Sequence, residues 1–287
     1  MTAIALGCLS AALFGGMSVG LRIGLDRFPD AELATLATVG GALAVALVFA
    51  VAEAPSRGVH AGGAWPFLLA GLMQPGVGQL LVTIAIREAG ASRASVVLGS
   101  APLVSVTIAL VLLGEPARWP LLLGALLIVG GGVELARDRD RPAHVRRRGY
   151  AFAFAATILF SARDNLTRWL AGSTSVPPAV AAAAALAGGF ALMLVVLGPR
   201  VRSRLALRPL LPFLAVGVLF GASYVSLFEA YYRGRVTVVS PIVATESLWG
   251  VALALLLIRH TELVGRRVLA GAALIVAGGV LIGVSAG

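Results

Sequence analysis

Arg163, Asp164 and Asn165 stand in a row within FSARDNLTRW (Phe160–Trp169), at the end of a stretch (Tyr150–Gly172) otherwise apolar enough to cross a bilayer. A charge near a bilayer centre costs roughly 2.5–3.5 kcal/mol on insertion scales, so such residues normally face a bundle interior or a water-filled cavity. An Arg fork placed there can donate two parallel bonds to a carboxylate or phosphate. Asp164 and Arg168 are four apart and can pair along a helix. Arg163 and Asp164, neighbours about 100° apart, are expected to turn away from each other. Two readings follow. Either an Asp164–Arg168 pair neutralises itself while Asn165 caps a neighbour's backbone, or Arg163 serves a cavity as an anion-binding donor.

Glu246, near the middle of VTVVSPIVATESLWGVALALLLI (Val236–Ile258), is the expected partner of Arg163. Burial raises a carboxyl pKa and a nearby Arg lowers it, so a Glu held between those effects suits a proton exchanged once per cycle. The plainer reading is a permanent Glu246–Arg163 bridge that locks helices. Ser247 lies beside Glu246 and Trp249 one turn on, while Ser240-Pro241 frees backbone groups and can kink this segment. LMQPGVGQ (Leu72–Gln79) adds Gln74 and Gln79 around Pro75, Gly76 and Gly78, and a Gly/Pro-interrupted apolar segment points to a transport pathway. Tyr224 and Phe228 share one helix face. In a cavity they would favour apolar, aromatic or cationic ligands; as packing they need no ligand. Glu229, Tyr231, Tyr232, Arg233 and Arg235 read as an interfacial anchor.

The elements that must position these residues are membrane helices. Of 287 residues 59% are hydrophobic and 13% charged, with mean hydropathy +0.96, whereas soluble domains sit near 25% charged. The formal net charge of +10 comes from Arg alone, since the chain has no Lys. It is read as loop charge flanking membrane helices, and nucleic acid is not an expected partner. Cys8 is the only cysteine, which excludes an intrachain disulfide. The start, MTAIALGCLSAALFGG, lacks a basic n-region and reads as a span.

Apolar runs of about 20 residues, the length a spanning helix needs, fall near 3–24, 31–52, 65–86, 94–113 and 119–136. Five more fall near 150–171, 177–197, 209–230, 236–257 and 266–285. Phe67–Arg87 slides onto Phe213–Arg233 at a shift of 146, and GALLIVGGGV (Gly124–Val133) onto GAALIVAGGV (Gly271–Val280) at 147, which also sets Glu115 on Glu262. LFGGMSVGLR (Leu13–Arg22) falls on LFSARDNLTR (Leu159–Arg168), so Met17, Ser18 and Val19 stand where Arg163, Asp164 and Asn165 do. An odd number of helices per unit makes the halves cross in opposite senses, and in such inverted repeats sites form near the midplane at the repeat interface. The expected organisation is a first five-helix repeat over 1–136, a basic linker over 137–149 and a second repeat over 150–287. The pairs Gly217/Gly221, Gly130–Gly132 and Gly278–Gly279 are read as helix packing.

The repeat endings LVLLGEPARWPLLLGALLIVGGGV and LLLIRHTELVGRRVLAGAALIVAGGV, with SAPLVSV and SPIVATESLW before them, resemble the EamA-type members of the drug/metabolite transporter superfamily. The resemblance covers nearly the whole chain. It implies an all-α membrane protein of ten transmembrane helices in two inverted five-helix repeats, a central substrate cavity, and export of small metabolites or drugs. RHTE (Arg259–Glu262) departs from the more usual LGE of the first half.

Sorted by membrane face, five Arg lie on the side of both termini and seventeen on the side of the linker. The positive-inside rule then puts the linker in the cytoplasm and the termini outside; the resemblance implies the opposite orientation. A bacterial inner membrane is the expected location.

An intramembrane enzyme finds no support, because His60, His144 and His260 lie in loops and no HExxH or Cys/His cluster exists. Channels build filters from repeated elements, whereas the polar residues here differ between halves. With no ATP-binding motif, energy must come from a gradient or from exchange. The sequence thus predicts a secondary-active exporter without cofactor, moving an amino acid or related zwitterion with protons as the candidate coupling ion. A multidrug or organic-cation exporter is the alternative, and a facilitator or channel ranks below both.

Overall fold

The computed structural model describes residues 2–89, 97–136, 147–204, 207–257 and 266–285. Described residues form helices and short turns and no strand, in the order α1 (Ala3–Arg27), α2 (Ala31–Arg57), α3 (Trp65–Gly71), α4 (Gly78–Ala89), α5 (Ala101–Leu112), α6 (Trp119–Ala136), α7 (Arg147–Ser173), α8 (Pro178–Val201), α9 (Leu207–Arg233), α10 (Val236–Val243), α11 (Glu246–Leu257) and α12 (Arg266–Ser285). Side-chain oxygens fix two starts: Thr2 accepts from the Ala5 N–H at 3.2 Å, and Asp30 from the Leu33 N–H at 3.0 Å, each satisfying a donor that the first turn leaves free.

Six helical stretches are long and apolar enough to cross a membrane: Ala3–Arg27, Ala31–Arg57, Trp65–Ala85, Pro178–Val201, Arg208–Arg233 and Val236–Leu253. Shorter apolar helices run over Ala101–Leu112, Trp119–Glu134 and Ala270–Ile282. Helix α7 has 27 residues, about 40 Å at 1.5 Å per residue, but its polar triplet keeps it out of the apolar six. These elements follow the order of the ten expected spans, and six of them meet both conditions. Helix α7 begins at Arg147, inside the stretch read as linker, and residues 137–146 lie outside those described.

Three of the expected spans are broken. A π-helical turn, Leu72–Val77, separates α3 from α4, with Gln74 thrown to φ −151°, ψ 120° just before Pro75. Val97–Leu98 and α5 are split by a turn at Gly99–Ser100, and α10 and α11 by a turn at Ala244–Thr245. The turn at Ala244–Thr245 falls three residues beyond the kink expected at Ser240-Pro241. Thr245 Oγ1 donates to the Ile242 carbonyl at 2.7 Å, drawing off a group that would otherwise continue the helix.

The duplication is visible in packing. Helix α1 packs on α9 and α11, while its counterpart α7 packs on α4 and α5. Helix α2 packs on α9, α8 on α3 and the π turn, α2 on α8, and α6 on α12. Glycines record the same relation at close approach. A Cβ on Gly41 would lie 2.8 Å from the Leu214 carbonyl oxygen, and one on Gly188 would lie 2.2 Å from that of Leu68, its equivalent. Likewise Gly131 faces the backbone of Gly271, and Gly278 that of Gly124. Gly217 and Gly221 pack on α2 as expected, whereas Gly130 and Gly279 face open space and need another reason or none.

Glu115 crosses between repeats. Its two carboxylate oxygens accept from the Val236 and Thr237 N–H groups at 2.8 and 2.9 Å, capping the positive end of α10. Its sequence counterpart Glu262 lies outside the described residues. Trp65, Trp119 and Trp169 are exposed at the helix ends facing the terminal side, where indole rings suit a membrane interface.

Candidate functional site

Arg163 is buried, 6% exposed, on the inner face of α7. Its Nε lies 3.0 Å from Asp164 Oδ1, so the two residues expected to turn away from each other meet. The guanidinium stem is long enough to curl back over a single helical step. The Asp164–Arg168 pair does not form among the described residues. Arg168 Nη1 instead donates to the carbonyls of Tyr231, at 3.0 Å, and Tyr232, satisfying groups that the end of α9 leaves open. The guanidinium carbon of Arg163 sits 5.2 Å from the centre of the Tyr224 ring, a cation–π contact worth about 0.5–2 kcal/mol. Tyr224 is fixed in turn, its hydroxyl donating to the Gln74 carbonyl at 2.9 Å. That carbonyl is presented by the distorted π turn, where Pro75 turns the preceding Gln74 out of helical conformation.

The Arg163–Asp164 contact is an ion pair and not a fork. Arg163 Nε and Nη1 and Asp164 Oδ1 are buried and make no hydrogen bond, and a buried polar group left so costs roughly 1–3 kcal/mol. Asp164 also lies beside the hydroxyl of Tyr231, which is fully buried and faces Ser240 as well. Tyr231 was expected at the interface. It sits instead in the core, with Leu6, Leu227 and Val239 around it, because it falls seven residues after Tyr224 on the same face of α9. That i, i+7 spacing was the available signal.

Asn165 does cap a neighbour's backbone. Its Nδ2 donates to the Ser105 carbonyl at 3.0 Å, to Ser105 Oγ at 3.3 Å and to the Ser161 carbonyl at 2.9 Å. It is the last rung of a ladder in which Thr157, Ser161 and Asn165, four residues apart, donate to the carbonyls of Val97, Ala101 and Ser105. The ladder stitches α7 to both sides of the break at Gly99–Ser100. Ser105 as a partner could not be read from the sequence.

Glu246 opens α11 just after the turn at Ala244–Thr245, close enough to interact with the charges of both Arg163 and Asp164. Among the described residues it forms no ion pair, so the expected Glu246–Arg163 bridge is replaced by the Arg163–Asp164 contact. Ser247 Oγ turns back to the Ala244 carbonyl at 3.3 Å. Trp249 is 41% exposed, its Cβ against the position of Gly15, and stands apart from the buried cluster. Gln74 is buried with its Oε1 making no hydrogen bond, and Gly78 gives that oxygen room, since a Cβ there would lie 2.2 Å from it. Gln79 is half-buried on α4. Tyr224 and Phe228 stack at 5.1 Å between centroids, and Phe220, Phe14 and Phe67 extend the aromatic column.

At the terminal face Arg57 forks onto Glu229 with bonds of 3.1 and 3.2 Å, and Arg233 pairs with the same carboxylate. This joins the ends of α2 and α9. A cavity of about 360 Å³ between α2 and α8, lined by Leu36, Leu194, Gly198, Pro199, Val201 and Arg202, is apolar and away from the Arg163 cluster. Among the described residues no group of three His, Cys, Asp or Glu could hold a metal ion.

The profile of the EamA-like transporter family matches residues 1–134 and again 147–284. A crystal structure described only as that of a protein superposes with a TM-score of 0.78 at 20% identity, over 99% of this chain and 97% of the other; it speaks for the fold. No curated protein matches the chain at a significant level.

Proposed function

The chain belongs to the EamA-like transporter family, a multi-pass membrane transporter of the drug/metabolite type with a small-molecule substrate, and on that premise we propose that it carries a zwitterionic metabolite, an amino acid or close relative. Arg163 takes the carboxylate, and Glu246 faces the ammonium group and exchanges a proton. The observation that carries this reading is the cluster itself: one cation and two acids, Arg163, Asp164 and Glu246, enclosed by helices of both repeats beside two helix breaks. Discontinuous helices at membrane depth supply ion and substrate sites in transporters with inverted repeats. The two halves would rock around this cluster, driven by a gradient or by exchange, in the outward direction. The aromatic column beside Arg163 favours a second reading, an exporter of hydrophobic organic cations held by Phe and Tyr faces.

Proteoliposomes holding a trapped pH dye separate the two. Addition of amino acids is expected to drive a substrate-dependent proton flux, lost in Glu246→Gln while exchange partly persists. Flux with organic cations alone would favour the second reading, and unchanged flux in Glu246→Gln would remove the proton from Glu246. The excess of Arg on the linker side supports an orientation with both termini outside; a C-terminal tag reached by antibody on intact cells agrees with that, and one reached only after permeabilisation reverses it.

A further inference from the structure

Arg163 and Arg57 meet carboxylates in different ways. Arg57 forks onto Glu229 with two hydrogen bonds, the geometry in which planar guanidinium and carboxylate match. Arg163 meets Asp164 through Nε alone, at 3.0 Å, and neither Nε nor Nη1 makes a hydrogen bond although both are buried. Adjacent residues on a helix cannot bring fork to fork. Asp164 therefore neutralises Arg163 without using its donors. Nη1, on the side of the guanidinium away from Nε and Asp164, is without a partner and can take an oxygen of a second carboxylate. Asp164 has a second partner at hand, the fully buried Tyr231 hydroxyl, which lies beside it and beside Ser240.

We propose that Asp164 is an internal stand-in for the substrate's carboxylate. It holds Arg163 while no substrate is bound, gives up Arg163 to the incoming carboxylate, and is then retained by the Tyr231 hydroxyl beside it. This inference rests on the zwitterion reading above and assigns two specificity-determining positions to it. Asp164 sets the threshold a ligand must exceed, so ligands lacking a carboxylate leave the pair closed. Tyr231 is a positioning residue that receives Asp164 and lowers that threshold.

The test is equilibrium binding to the purified full chain in nanodiscs, using the common amino acids and their carboxamides as probes. Asp164→Asn removes the competitor and is expected to tighten binding of acids on the order of tenfold, the worth of a displaced charge-assisted contact, while amides change by less than about twofold. Tyr231→Phe is expected to weaken acid binding several-fold beside Asp164 and to have no effect in the Asp164→Asn background. Equal or weaker acid binding in Asp164→Asn, or a Tyr231→Phe effect of the same size in both backgrounds, overturns the displacement. If Asp164→Asn does not fold, Tyr231→Phe against the unmodified chain decides, and unchanged acid affinity overturns the proposal. Acid binding by the unmodified chain with these failures leaves the zwitterion reading standing; no binding of any probe by either protein removes both.

Discussion

Helix α1 against α11 and helix α7 against α5 occupy equivalent places in the two repeats, yet they are held by opposite means. In the first, Gly15 brings the backbones together: a Cβ there would lie 2.7 Å from the Gly250 nitrogen and 2.8 Å from Trp249 Cβ. In the second, the counterparts of Ala11, Gly15 and Val19 are Thr157, Ser161 and Asn165, which donate a ladder of hydrogen bonds across the contact. One fold thus accepts close packing or side-chain bonding at the same seam. The difference divides the polar residues of α7. Those on the ladder compensate for an interface without glycine, whereas Arg163 and Asp164 lie off it and take no part in holding α7 to α5.

Exchanging residues between the repeats should break this contrast in graded fashion. Gly15→Ser should cost most, about 3 kcal/mol or more, because the obstructing atoms are backbone and cannot yield; loss of monodisperse protein on extraction would report it. Asn165→Val should cost roughly 1–3 kcal/mol by removing the last rung and leaving Ser105 without its partner, read as a lower midpoint in thermal unfolding. Ser161→Gly should cost about 1–2 kcal/mol, one hydrogen bond and one mid-helix glycine. Gly130→Ala, where a Cβ meets nothing within 4 Å, should stay within about 0.5 kcal/mol. A Gly15→Ser variant as stable as Gly130→Ala would mean that α1 and α11 are not closely packed.

The sequence made this contrast half visible. Gly15 and Ser161, Val19 and Asn165 align at the shift of 146, so the asymmetry of the halves was legible, as were the helical class and the sharing of a face by Tyr224 and Phe228. Periodicity places a residue on a helix face but does not say which neighbour that face meets. For that reason Arg163 was matched with Glu246 and found with Asp164, and Arg168 was matched with Asp164 and found on the carbonyls closing α9. Helix breaks were legible where Pro and Gly mark them, as in LMQPGVGQ. The turn at Ala244–Thr245 was misplaced because a threonine hydroxyl, and not the proline, takes the carbonyl that ends the helix. Tyr231 and Tyr232 looked alike as an aromatic pair near a helix end, though one turns inward to Asp164.

The central claim is that Arg163 serves substrate and Asn165 serves the fold. It is tested most directly by counterflow of a labelled amino acid in proteoliposomes, competed by amino acids and by their amides, with Arg163→Ala and Asn165→Val side by side. Asn165→Val is expected to retain the preference for acids at reduced stability, while Arg163→Ala is expected to lose that preference in protein that still folds. Loss of the preference in both, or retention in Arg163→Ala, would contradict it.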